Sequence, residues 1–271
     1  MKDSEKGSGQ SEEDYMERCE EYLEKEDYGK AITETDRALE LFPDSEFFYA
    51  VRGEAHRSLG DLERALEDFG ELIRLDPEDG SAYSMRGMVY ADTDQGDKAL
   101  ADFEKALALD PDVPETHYGL GLAYILKDEY DLAIGSLSTA IAMDGEQAIF
   151  YLKRGMAYMF KGDLEKNAED YRKALEDCRN AVDMGMDFPD VRAYVSMILH
   201  KLGQSDKAIR ECDDIIGQYP ENAMAYAFRS LIYGDKGDGN RAEADRRKTL
   251  ELDPELIWMF GKNGSLPEAD G

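Results

Sequence analysis

The sequence predicts an all-α fold, a solenoid built from stacked helix pairs. Three observations carry this reading. First, prolines close similar phrases at fixed intervals: ALELFP (38–43), ELIRLDP (71–77), KALALDP (105–111) and TLELDP (249–254). Pro43, Pro77 and Pro111 stand 34 residues apart, as do Pro220 and Pro254, and the 109 residues from Pro111 to Pro220 are three such intervals plus seven. Self-similarity at a fixed period marks a repeat architecture. Second, each interval holds two apolar patterns of helical spacing joined by a polar turn. Third, small residues recur at the same two places in the copies, with one exception in the fifth.

Counting each copy from 1 to 34, with proline at 32, the repeats begin near Glu12, Glu46, Gly80, Pro114, Ala148, Pro189 and Ala223. Repeat three is the clearest. Tyr83, Gly87 and Tyr90 line one face of a first helix, and Ala99, Phe103 and Ala106 one face of a second. DTDQGD (92–97) is the turn between them, and LDP ends the pair because proline cannot continue a helix. Position 8 is Cys19, Gly53, Gly87, Gly121, Gly155, Ser196 and Ser230, and position 20 is Ala31, Ala65, Ala99, Ala133, Asn167, Ala208 and Ala242. Small side chains there let two helices approach closely, and aromatic residues such as Tyr49, Phe69, Tyr90, Phe103, Tyr124 and Tyr158 fill the surrounding space. One pair cannot bury this face alone, so the repeats stack.

Repeat four ends in Asp144-Gly145, with glycine as the helix stop. Repeat five has Asn167 in place of alanine and resumes the pattern at Ala174, Cys178 and Ala181, seven residues late. Seven residues are about two helical turns. They predict a heptad insertion within about 167–181 that lengthens the second helix. Residues 1–11 read as a polar disordered tail, 12–254 as seven repeats, and 255–271 as a capping helix with a flexible tail. In the cap, Trp258 and Phe260 are expected to pack back on the last repeat.

The pattern resembles the tetratricopeptide repeat (TPR) family. The matching residues include Arg86-Gly87, Tyr90, Ala99, Phe103, Ala106 and Pro111, and Leu120-Gly121 followed by Tyr124, Ala133 and Ala140. The resemblance covers about seven repeats, roughly residues 12–254. It implies a right-handed superhelical solenoid of antiparallel helix pairs with a concave groove, acting as a non-catalytic protein-binding scaffold.

Position 7, usually apolar in this family, is Arg18, Arg52, Arg86, Arg154 and Arg229. Sixteen residues later stand Glu34, Asp68, Asp102, Asp170 and Asp245. Repeat four has Leu120 and Ser136, and repeat six has Val195 and Glu211. These spacings predict a row of arginine–carboxylate pairs, the planar guanidinium fork suiting a carboxylate. An anion site is the competing reading.

On the family's geometry, positions 2, 5, 6, 9, 12 and 13 face the groove. Those 42 of 271 residues hold seven of the twelve methionines, Met16, Met85, Met88, Met156, Met159, Met197 and Met224, where an even spread would give about two. Tyr118, Leu122, Ile125, Phe160, Tyr194, Phe228 and Leu231 share the surface. The binding groove is therefore assigned to Met85, Met88, Tyr118, Leu122, Ile125, Met156, Met159, Phe160, Tyr194, Met197, Met224 and Phe228. The same residues would alternatively pack between neighbouring first helices. Glu13, Glu17, Glu20 and Glu24 make the first repeat's groove acidic. The matching partner is a protein segment or amphipathic helix with apolar residues and a basic end. Family members that grip chaperone C-terminal carboxylates use lysine, arginine and asparagine at positions 2, 5, 6 and 9; here those positions are nearly all acidic or apolar, Lys153 being the main exception. Self-association through the C-terminal segment or the convex face is the alternative function.

With 61 acidic and 32 basic side chains the net charge is −29, which excludes a phosphate-binding footprint and hence nucleic acid. No apolar run is long enough for a membrane span, and no secretory leader is evident. Cys19, Cys178 and Cys212 are too few and scattered for a disulfide framework or zinc site, which points to the cytoplasm. DTDQGD lacks the glycine and final carboxylate spacing of a calcium loop. His56, His117 and His200 sit at different repeat positions, so no catalytic, cofactor or metal site is expected.

Overall fold

The computed structural model describes residues 11–260. The expectations for the chain before Ser11 and after Phe260 lie outside the described residues. Among those described are fourteen α-helices, one 3₁₀ helix and no strand. The first helices are α1 (Glu12–Glu24), α3 (Glu46–Ser58), α5 (Gly80–Asp92), α7 (Pro114–Leu126), α9 (Ala148–Glu165), α11 (Pro189–Lys201) and α13 (Ala223–Asp235). Each starts at the residue where a sequence repeat starts. The second helices are α2 (Tyr28–Leu41), α4 (Leu62–Leu75), α6 (Gly96–Leu109), α8 (Tyr130–Met143), α10 (Ala168–Asp183), α12 (Ser205–Gln218) and α14 (Gly239–Leu252). The described residues form two compact bodies, one ending at Asp128 and the other beginning at Glu129, divided at the turn between α7 and α8.

Local chemistry explains the helix ends. Ser11 and Asp14 form a reciprocal capping box at the start of α1, and Asp79 and Asn222 cap α5 and α13. The first helices end in a left-handed residue, Glu26, Gly60, Asp94, Asp128, Lys166, Gly203 or Gly237, that turns the chain into the second helix. Tyr49 and Tyr83 donate their hydroxyls to the carbonyls of Pro43 and Pro77 at 3.2 Å, tying a new repeat to the turn before it.

In the N-terminal body the small residues admit large ones. A Cβ on Gly53 would lie 2.5 Å from the ring of Phe69. Phe103 is fully buried between Gly87 and Gly119, where a Cβ would lie 3.0 and 2.3 Å from its ring. In the C-terminal body Tyr171, Ala174, Cys178, Ile198, Ile215 and Ile232 belong to one continuous core.

The arginine row is present. Arg18 donates to Glu34 at 2.7 Å, and Arg86 grips Asp102 with two bonds of 2.8 Å. Arg52 holds Asp68, and Arg229 holds Asp245, also by two nitrogens each. The tyrosine three residues earlier, Tyr15, Tyr49, Tyr83 or Tyr226, lies within 4.6–5.8 Å of each guanidinium. Arg52 and Arg229 also reach back one repeat, to Asp36 and Asp213, both at 2.6 Å. Burial alone would lower the pKa of these two guanidiniums, but two carboxylates each hold it above the usual arginine range. Every guanidinium in the row has its carboxylate, which supports pairing over an anion site. Gly70 occupies the place of Asp36 and Asp213 ahead of Arg86, and nothing lies within 4 Å of where its Cβ would be. Gly70→Asp should therefore give Arg86 a second carboxylate and remove a helix-interior glycine. The expected gain is about 1 kcal/mol, read as a higher melting temperature.

Repeat five departs from the sequence expectation. Arg154 pairs with Asp177 at 2.7 and 2.8 Å, not with Asp170. Asp170 instead accepts from the Asn167 side chain, and Asn167 caps α10. The extra length sits mainly in the first helix: α9 has 18 residues against 13 in its counterparts, and α10 has 16 against 14. The tetrapeptide GDLE shows why. At 60–63 it makes a turn and starts α4, while at 162–165 it ends α9. The core residues of α10 come seven residues late, so tertiary packing holds the turn back and α9 runs on. Gly162 makes room for Tyr171, whose ring would lie 2.8 Å from a Cβ there, and Leu164 is left 71 % exposed. In repeat six, Glu211 is taken up by Arg192, at 2.7 and 3.0 Å.

The C-terminal segment is a 3₁₀ helix, Pro254–Phe260, packed on α13 and α14. Leu256 and Phe260 are buried in that contact. Trp258, expected to pack back, is 70 % exposed.

Candidate functional site

Some of the residues assigned to the groove line a cavity in each body. In the N-terminal body, α3, α5 and α7 enclose a cavity of about 320 Å³. Met85 and Met88 of α5 line it with Ala106 and Val113, and Glu54, Asp79, Asp110 and Glu115 bring carboxylates to it. Arg57 donates to Asp92 at 2.7 Å and to Glu54 at 3.3 Å. Burial, then the nearby Asp92 charge, pushes the Tyr118 hydroxyl up to about 12. Tyr118, Leu122 and Ile125 are half-buried on α7 and do not line the cavity.

In the C-terminal body, α9, α11, α13 and the 3₁₀ helix enclose about 170 Å³. Met159, Phe160, Tyr194, Met197, Met224 and Phe228 all line it, joined by Leu231, Trp258 and Met259. Here the two readings of the methionine surface divide. Met159, Met197 and Phe228 are 4–6 % exposed, and they belong to the core at the same time as they line this cavity. Tyr194 packs edge-on against Phe228 at 5.4 Å, so large neighbours on adjacent first helices cover the deeper positions. Phe160, Tyr194 and Met224 remain half-buried at the surface. Met156 is half-buried against the core and does not line the cavity. Asp163 and Lys201 pair at 2.8 Å beside it.

Sequence reasoning overlooked several partners. Trp258 and Met259 lie after the last repeat, outside the 34-residue count, but Trp258 is the chain's one tryptophan. Lys127 pairs with Asp97, Lys161 with Asp131 and Lys236 with Asp206, each across 30 residues; that recurrence is visible in the sequence. His200 bridges Ser205 and Asp235 at 2.9 and 2.8 Å and ties α11 to α13. Burial pushes the Cys178 thiol up to about 12 and those of Cys19 and Cys212 up to about 11, so none is an activated nucleophile. Among the described residues no group of three side chains is arranged to hold a metal ion, and no helix is long and apolar enough to cross a membrane.

Comparison with known proteins agrees with this architecture. The tetratricopeptide repeat family matches at residues 19–80, 50–114, 84–140 and 118–182. The chain belongs to that family, whose fold presents protein-interaction surfaces. No curated protein matches the sequence. Among solved structures, the chain is similar to one in the APC/C hetero-tetramer Cut9-Hcn1, with 16% identity and a TM-score of 0.75, over 92% of this chain and 48% of that one. It thus spans about half the length of that protein. A tetratricopeptide repeat protein from Parabacteroides merdae ATCC 43184 shares 19% identity, with a TM-score of 0.68, over 93% of this chain and 99% of that one. YrrB, described as a TPR protein with an unusual peptide-binding site, shares 23% identity, with a TM-score of 0.51, over 73% and 99% respectively.

Proposed function

We propose that this chain is a non-catalytic scaffold that holds an amphipathic segment of a partner protein on the inner faces of its first helices. The observation that carries the reading is the apolar cavity of the C-terminal body, with Phe160, Tyr194, Met224 and Trp258 around it. A volume of about 170 Å³ is below the usual range for a small-molecule site, about 300–1,000 Å³, and suits single apolar anchor side chains. An exposed tryptophan beside such a pocket is the kind of residue that dominates binding energy. The net charge of −29 favours a partner with basic residues flanking the anchor. The peptide-binding description of YrrB, a structure of similar fold, accords with this use. The three cysteines are free and buried, which suits the cytoplasm.

Selection from a displayed random-peptide library tests the proposal. Enriched peptides should carry apolar residues at helical spacing beside lysine or arginine. Met224→Glu and Trp258→Ala should each weaken them about tenfold or more without loss of helicity. No enrichment, or binders indifferent to both substitutions, would sink the reading.

A second reading is self-association through the C-terminal segment. It is favoured by Ile257 and Trp258, which stand 52 % and 70 % exposed side by side. Light scattering would decide it, since a dimer lost in Trp258→Ala supports assembly and a monomeric wild type removes it.

A further inference from the structure

We propose that the cavity enclosed by α3, α5 and α7 receives a cationic side chain, arginine or lysine, from the partner segment. This rests on the scaffold reading above and assigns the N-terminal cavity a chemistry distinct from that of the C-terminal one.

The two cavities differ in their walls. The C-terminal cavity is apolar, and its charged neighbours Asp163 and Lys201 pair with each other. The N-terminal cavity has an apolar floor at Met85, Met88 and Val113, with Glu54, Asp79, Asp110 and Glu115 around it. Arg57, the lining cation, is already shared between Asp92 and Glu54. Asp79 accepts from the backbone and hydroxyl of Ser81, and Asp110 from the backbone of Asp112; neither bond brings a positive charge. With Glu54 already paired to Arg57, the lining carries three further carboxylates, Asp79, Asp110 and Glu115, that no guanidinium of the lining meets.

The wider field has the same sign. Residues 11–128 hold 32 acidic and 12 basic side chains, net −20, whereas residues 129–260 hold 25 and 17, net −8. The N-terminal body therefore attracts cations more strongly and speeds their arrival.

The shape of the site matches the amphipathic build of lysine and arginine. Their methylene stems lie on apolar surface while the charged head stays polar. Here the stem would lie along the methionines and the head would reach the carboxylates. A wholly apolar side chain would desolvate those carboxylates without compensation, and an acidic one would be repelled. The cavity, at about 320 Å³, also leaves room for water around the head.

The test uses the full chain with methionine methyls labelled for NMR. The probes are N-acetylarginine methylamide, its lysine counterpart and the neutral isostere N-acetylcitrulline methylamide. Arginine and lysine should shift the Met85 and Met88 methyls saturably, whereas citrulline should not. Asp110→Asn with Glu115→Gln should weaken the cationic probes about fivefold, and added salt should do the same. Equal shifts from citrulline, no saturable shift from arginine, or indifference to the double substitution would overturn the proposal. N-acetylphenylalanine methylamide, read at the Met224 methyl, reports the apolar anchor independently. Loss of the Met224 response with Met85 and Met88 still responding removes the apolar anchor alone, and the converse removes the cation site alone.

Discussion

Arg86→Leu should lower the stability of the N-terminal body by about 2–3 kcal/mol, and adding Asp102→Ser should restore most of the loss. The single substitution leaves Asp102, only 7 % exposed, without the two 2.8 Å bonds that offset its burial. An uncompensated buried charge costs about 3–5 kcal/mol. The lower figure is expected because the Arg86 side chain is 26 % exposed and part of its interaction is screened by water. The double variant copies repeat four, which carries Leu120 and Ser136 at the same positions. Removing both partners of an ion pair is often near neutral where removing one is not. Urea unfolding of the two variants beside wild type gives the answer. An Arg86→Leu protein as stable as wild type would mean that the pair contributes nothing.

Gly119→Ala should cost about 2–3 kcal/mol, although alanine is the better helix former. The added methyl would lie 2.3 Å from the Phe103 ring, which Gly87 confines on its other side, so the ring has no space to retreat. Gly135→Ala is the control. It too replaces glycine in mid-helix, but nothing lies within 4 Å, and the gain should be about 0.5–1 kcal/mol. Phe103→Leu in the Gly119→Ala background should recover part of the loss. Opposite signs for the two alanines would show that close packing, not helix propensity, decides these glycines.

Much of this architecture is legible in the sequence because a repeated constraint leaves a repeated residue. The first helices start where the proline count puts them, and Arg18, Arg52, Arg86 and Arg229 meet the acids 16 residues on. Repeat five was misread because a tetrapeptide does not decide whether it turns. GDLE forms a turn at 60–63 and helix at 162–165, and the choice is made by where Ala174, Cys178 and Ala181 find their core. The late resumption at those three residues already implied Asp177 as the partner of Arg154, and counting a fixed 16 missed it. The binding surface was legible in direction only. Position in the repeat says that Met159, Met197 and Phe228 point inward, but not that neighbouring repeats cover them. Trp258 reads from the sequence as a cap residue and not as a groove residue, because no periodic argument reaches past the last repeat.

The long α9 has a consequence for how the chain finds its fold. In an array of near-identical copies, a helix can dock on the wrong neighbour, one period out of step, at little cost in local contacts, and such misassembly is a characteristic failure of repeat proteins. A slipped alignment that brings α9 against another second helix sets Gly162 against no Tyr171 and leaves the extra turn of α9 unmatched. Irregularity in the fifth copy thus acts like a key cut on one tooth: it makes the correct alignment distinguishable from its near-copies while the chain is still sorting its neighbours.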